Sequence, residues 1–244
     1  AGVQRIGLSA TQRPLETVAR FLGGQEWRAG RLVPRPVTII DAGLNKPMDL
    51  EVRATVSDFR QLGTQSVWPG IEEEAAGLIA AHRSTLVFAN SRRLAERIAT
   101  RLTEKVAQGR IRAHHGSVSA AARLEMEADL KAGRLPALVG TSSLELGIDI
   151  GAVDLVIQLQ SPKGVARGLQ RVGRSGHLVG QTSRGRIYAT HREDLVEAAA
   201  VAWGMLRGEV EPAEVPENCL DVLAQQVVAA VSVDDWPAEG LYAL

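Results

Sequence analysis

"STLVFANSRRLAERIATRL", Ser84 to Leu102, holds the pattern that decides the fold. Its first six residues, Ser84–Ala89, form a short continuous apolar run with β-branched and aromatic members, which reads as a buried strand. From Ser91 to Ala107 the period changes: Leu94, Ile98 and Leu102 lay an apolar stripe along a helix. The same alternation runs outward in both directions. Downstream it predicts a strand at Ile111–His115, a helix at Ser119–Ala132 capped by Ser119, and strands at Pro136–Thr141 and Asp154–Gln160. A helix at Val165–Gly173, a strand at Arg186–Thr190 and a helix at Glu193–Leu206 follow. Upstream, Glu72–His82 reads as a helix, Leu50–Val56 as a strand and Val37–Ile40 as a short β-branched run. Residues 23–35, rich in Gly, Arg and Pro, read as a linker, and Pro14–Leu22 as a short helix with Pro14 in its first turn.

Strands that are apolar throughout, alternating with helices, predict an α/β fold: a parallel sheet with helices on both faces. In such sheets ligands sit beyond the C-terminal strand ends. Those ends carry Asn90–Ser91, His115–Gly116–Ser117, Thr141–Ser142 and the loop Ser161–Gly164, all small or hydrogen-bonding. At the other extreme of the chain, "RIGLSAT" (Arg5–Thr11) reads as the end of a buried strand from a preceding domain. Residues 209–217 form an acidic, proline-punctuated connector, and Leu220–Val233 an amphipathic helix that opens another domain.

The 244 residues are 45% hydrophobic and 23% charged, an ordinary globular composition. No apolar run reaches membrane-spanning length. The single cysteine, Cys219, excludes an internal disulfide and any multi-cysteine metal site, and reads as a small core residue. Lys+Arg and Asp+Glu balance at 28 each, but the balance hides segregation. Residues 155–192 carry seven Lys/Arg and no acid, while residues 209–244 carry eight acids and no Lys or Arg. A local basic face of that kind suits a polyanionic partner.

Two stretches can carry chemistry. In "GTSSLELGIDIG", Gly140–Gly151, hydroxyls follow a strand end at Thr141, Ser142 and Ser143, where free N–H groups and hydroxyls can bind phosphates. Asp149 could accept from a ribose hydroxyl or position a water; a plain helix cap at Thr141 or Ser142 remains the alternative. In "QRVGRSGH", Gln170–His177, Arg171 and Arg174 share a helix face that Arg167 extends. Fixed arginines of this kind stabilise a transferring phosphoryl group, while Gly173 and Gly176 permit close approach or end the helix; a solvated basic face is the alternative. The adjacent His114 and His115 point to opposite faces of a strand and lack a third ligand, so no metal site is expected. Arg92, Arg93, Arg97 and Arg101 read as a solvated helix face whose first two members could touch nucleic acid. Trp68, Trp203 and Trp236 read as packing residues. No GxxxxGK[ST] loop and no DExH or DEAD box occurs, so the chain supplies half of a nucleotide site at most.

Together these stretches resemble the motifs of superfamily-two helicases, in order. "LSAT" (Leu8–Thr11) resembles motif III, "TLVFANSRRLAE" motif IV, "AHHGS" the following nucleic-acid contact, "GTSSLELGIDIG" motif V and "QRVGRSGH" motif VI. Together with "NCLDVLAQQVVA" they are similar to Lhr, the large helicase-related family. The resemblance covers residues 1–207 and implies a RecA-like fold. It divides the chain into the end of a first RecA-like domain and linker (1–34), a second RecA-like domain (35–208), and a connector with the start of a winged helix (209–244). It implies a DNA-dependent ATPase that moves 3′ to 5′ on single-stranded DNA and unwinds duplexes, RNA–DNA hybrids included.

The resemblance places Arg171 and Arg174 at the ATP phosphates as catalytic residues, and Gly147, Asp149 and Gln170 around the nucleotide. Asn90, Ser91, Arg92, His115, Gly116, Thr141 and Ser142 fall where the family tracks the DNA backbone. ATP and Mg²⁺ are the implied cofactors, with the metal ligands in the first RecA-like domain. That domain and the winged helix are implied partners, and the cytoplasm the implied location. With the Walker lysine, metal-holding acid and base lying outside this chain, the isolated chain is expected not to hydrolyse ATP. An RNA helicase of the same superfamily and a non-catalytic binding module remain the alternatives.

Overall fold

The computed structural model describes residues 4–9, 11–41, 46–61, 66–107, 109–145, 151–176 and 180–242. Helix α1 (Leu15–Gly23) precedes a hairpin of β1 (Gln25–Arg28) and β2 (Arg31–Pro34). The main body follows: β3 (Met48–Arg53), α2 (Trp68–Ala81), β4 (Thr85–Phe88), α3 (Arg92–Lys105), β5 (Arg112–His114), α4 (Ala120–Lys131) and β6 (Ala137–Gly140). Then come β7 (Leu155–Leu159), α5 (Val165–Val172), β8 (Ser183–Tyr188) and α6 (Arg192–Arg207); α7 (Leu220–Val231) and α8 (Ala238–Tyr242) lie beyond a connector.

The six strands β3 to β8 form one parallel sheet in the order β3-β8-β7-β4-β6-β5. Alternate residues of each strand feed opposite layers. Val87, Val139 and Ile157 join the core beneath α2 and α3, while Leu86, Phe88, Leu138 and Val156 join the one beneath α4 and α5. This two-sided burial is why β4, β6 and β7 are buried at every position. The chain leaves β4 toward β5 and leaves β7 toward β8, so the loops after β4 and β7 diverge. Between them lies the topological switch point, where such sheets open a crevice.

Several expectations are corrected. Arg5–Thr11 contains no strand among its described residues, and Ile6 and Leu8 are exposed. The "linker" at 23–35 is the β1–β2 hairpin, turned by Ala29 and Gly30, both at positive φ. Alanine gives no warning of such a turn. β3 starts two residues before the predicted strand and β8 three. Cys219 is half-buried ahead of α7, not in the core. Trp68 packs beneath Arg97, whose guanidinium lies 4.5 Å from the ring centroid, but Trp203 and Trp236 are exposed. No helix among the described residues is long and apolar enough to cross a membrane.

Candidate nucleotide and nucleic-acid edge

Because the sheet is parallel, Asn90, His115, Thr141 and Ser161 all emerge on one edge. Asn90 spans the crevice. Its amide donates to the Ser161 carbonyl at 2.9 Å, and its oxygen accepts from Arg171 at 3.0 Å. Ser91 caps α3, accepting from the Leu94 N–H. Arg92 donates to the Ser117 hydroxyl at 2.8 Å, joining the β4 and β5 loops. Gly116, Ser117 and Ser142 are exposed, and Thr141 is half-buried.

The histidines are turned inward. His115 is buried, with Nε2 2.7 Å from Glu96, so this expected backbone contact is already engaged by a side chain of its own domain. His114 lies between Ser143 (2.9 Å) and Glu127 (2.9 Å). Burial pushes its imidazole below the ordinary value despite the Glu127 carboxylate. Among the described residues no cluster of three or more metal-ligating side chains occurs.

Helix α5 carries the arginines. Arg171, expected at the phosphates, is 3% exposed and lies against the Phe88 ring. Its Nε and Nη2 donate to Glu145 at 2.8 and 2.5 Å, and its Nη1 to Gln158 at 2.8 Å and to Asn90. Desolvation lowers its pKa and Glu145 opposes that; an arginine remains charged in either case. Arg174 lies past the helix end and is only half-buried. It donates to the Glu145 carbonyl. Burial lowers its pKa too, so this cation is held partly stripped of water. Glu145 therefore touches both arginines, by its carboxylate and by its carbonyl. Its acid escaped sequence reading because it lies 26 residues before Arg171.

The wider basic stretch also has distant partners. Lys163 meets Glu197 at 2.6 Å, and Arg186 meets Asp49 and Glu51 at 3.0 and 3.2 Å. Gln170 donates to the Thr11 hydroxyl at 2.8 Å, which ties the helix to the chain's first segment. Gly176 sits at φ +60°, and a Cβ there would meet the Thr182 carbonyl at 2.4 Å. Its freedom serves a tight turn rather than a ligand. Gly147, Asp149 and His177 lie outside the described residues.

A parallel sheet presenting polar loops at its C-terminal edge, with a helix that delivers a half-buried arginine beside them, defines a RecA-like helicase C-terminal domain. The model for the helicase conserved C-terminal domain matches residues 72–178. The chain belongs to the large helicase-related (Lhr) family, whose winged-helix domain model matches residues 203–244. It is 46% identical to the Lhr helicase/probable uracil glycosylase of Mycolicibacterium smegmatis, over 98% of this chain and 18% of that protein. It is 43% identical to the ATP-dependent helicase Lhr-Core of Methanothermobacter thermautotrophicus, over 95% of this chain and 27% of that one. The solved structure of Mycobacterium smegmatis helicase Lhr bound to ssDNA and AMP-PNP superimposes with a TM-score of 0.87 at 49% identity, covering 98% of this chain and 31% of the other. The chain thus spans less than a third of the length of these relatives.

Proposed function

We propose that this chain is the second RecA-like domain, with the start of a winged helix, of an ATP-driven helicase that moves 3′ to 5′ on single-stranded DNA. Residues 1–34, 35–208 and 209–244 are its three parts under this reading. The observation that carries it is the pairing of roles at Glu145. Its carbonyl accepts from Arg174, and the turn Ser142–Leu144 just before it ends the strand that presents Thr141. The Arg174 cation and the hydroxyls proposed to meet DNA, Thr141 and Ser142, therefore gather at one turn. The relatives' names, and the ssDNA and AMP-PNP in the solved Lhr structure, support the same reading.

The donor set fits the phosphate side of a nucleotide: a half-buried, partly desolvated guanidinium beside Gln170. It does not provide a cage of carboxylates for Mg²⁺ among the described residues. ATP, bound between this domain and an upstream RecA-like domain, supplies the phosphoryl group transferred to water. Arg174 would stabilise the charge that develops on its oxygens. Arg171 would fix Glu145, and through it Arg174, rather than touch the nucleotide. Ser142, Thr141, Arg92 and the Gly116 N–H would donate to DNA phosphates, which positions the strand without reading its sequence. His115 and Asn90 would shape this track from behind.

The test is Arg174→Ala and Arg174→Lys in the full-length enzyme. Turnover should fall by about a thousandfold for alanine, as for a lost arginine finger. Lysine should rescue poorly because it lacks the planar fork. Nucleotide-free affinity for ssDNA should stay within about twofold, because Arg174 makes no phosphate contact on the strand. A collapse of DNA affinity with normal turnover would reassign Arg174 to the DNA track.

A further inference from the structure

Helix α5 has no cap of its own. The residue before it is Gly164, without a side chain, so the first N–H groups would be left for water. They are instead taken by a residue 45 positions away. Glu211, in the acidic connector, accepts from the Val165 N–H with one carboxylate oxygen and from the Ala166 N–H with the other, the latter at 2.9 Å. The backbone at Gly164 is extended, φ 174°, a conformation open to any residue. Yet a Cβ there would lie 3.0 Å from Glu211 Oε1. Gly164 thus leaves room for the carboxylate rather than bending the chain, and a Cβ there would crowd it. Burial raises the Glu211 pKa, but the Ala166 and Val165 N–H groups and the charge of Arg167 outweigh it and hold the group ionised.

Two further contacts meet at the same helix. Val210, beside Glu211, packs on the cluster that contains Val165, Val172 and Met205. Ala213 donates its N–H to the Arg13 carbonyl at 2.5 Å, so the connector also holds the segment that reaches Gln170 through Thr11. The helix that presents Arg171 and Arg174 is therefore gripped at its start by the connector to the winged helix.

We infer that Glu211 is a positioning residue that makes α5 and the downstream winged helix move as one body, so that a change at the nucleotide reaches that domain. The inference rests on the helicase reading above. It assigns Glu211 no contact with ATP or DNA. Its removal should therefore separate turnover from work, which loss of a nucleotide ligand would not do.

The experiment uses the full-length enzyme with Glu211→Ala, Glu211→Gln and Gly164→Ala. The last leaves the carboxylate in the protein but crowds it, with a Cβ 3.0 Å from Oε1. ATP turnover at saturating ssDNA should stay within about twofold, while base pairs separated per ATP fall by roughly two- to thirtyfold. Glu211→Gln, with one acceptor oxygen left, should fall between Glu211→Ala and wild type. Combining Gly164→Ala with Glu211→Ala should add little, because both break one contact. Amide exchange at Val165 and Ala166 should rise in each variant. Unchanged separation per ATP in both alanine variants would overturn the inference, and so would turnover that falls in parallel with separation. A wild-type enzyme without ssDNA-stimulated turnover would instead overturn the helicase reading, and this inference with it.

Discussion

Arg171 is a buried cation whose guanidinium donates to Glu145, Gln158 and Asn90. The resemblance placed it in motif VI, and the lack of nearby acid suggested a cation waiting for an anion. The partner was Glu145, brought close by the sheet rather than by the chain. A buried cation with four partnered N–H contacts is a fastening, and its removal leaves a carboxylate without its counter-charge. Arg171→Ala should therefore cost about 3–5 kcal/mol of stability, the range for breaking a buried pair. Arg171→Lys should recover little, since a point charge cannot serve Glu145, Gln158 and Asn90 together. Urea unfolding of the variant chain measures this; a loss below about 1 kcal/mol would show that the pair is held in place without holding anything.

At the scale of elements the alternation of strand and helix was legible, because the central strands β4, β6 and β7 are mostly apolar runs and α3 between them carries an apolar stripe. The hairpin was not, because its Ala29–Gly30 turn carries half of the usual signal. Element ends were legible only where a side chain marks them. Ser119 and Ser91 are both caps, accepting from Ala122 and Leu94. For Ser91 that reading competes with DNA contact, and substitution can separate the two. Ser91→Ala should destabilise α3 by about 1 kcal/mol. Ser91→Asp keeps the cap, so thermal stability should hold, but it sets a negative charge on the proposed DNA edge. Full-length Ser91→Asp should then bind ssDNA more weakly and with a shallower salt dependence. Wild-type affinity in Ser91→Asp would remove Ser91 from the track.

For the whole molecule, the parallel sheet and the edge that carries the polar loops followed from apolar runs alone, whereas exposure did not. Leu220, Val228 and Trp203 look like core residues in sequence, yet lie 73%, 64% and 63% exposed. Hydrophobicity marks a surface to be covered but not the molecule that covers it. The same incompleteness bears on activity. The chain offers a half-buried cation at Arg174, proposed above to meet a phosphate, but no GxxxxGK[ST] loop to cradle one. The isolated 244-residue chain should show no ssDNA-stimulated ATPase above background, while still binding ssDNA with an affinity that falls as salt rises. Turnover that co-purifies with the chain and disappears with Arg174→Ala would contradict this.

The bond between Thr11 and Gln170 has an energetic meaning beyond its geometry. It joins two neutral groups, and such a bond nets about 1 kcal/mol, a population ratio near five. At the very next residue, Arg171 is anchored by charge in a dry interior. The helix is therefore bolted to its own sheet and only latched to the segment before it. A latch this weak opens and shuts on thermal energy. A ligand that prefers one setting by tenfold needs only about 1.4 kcal/mol of differential binding to bias it, a small fraction of what a well-bound nucleotide has to give.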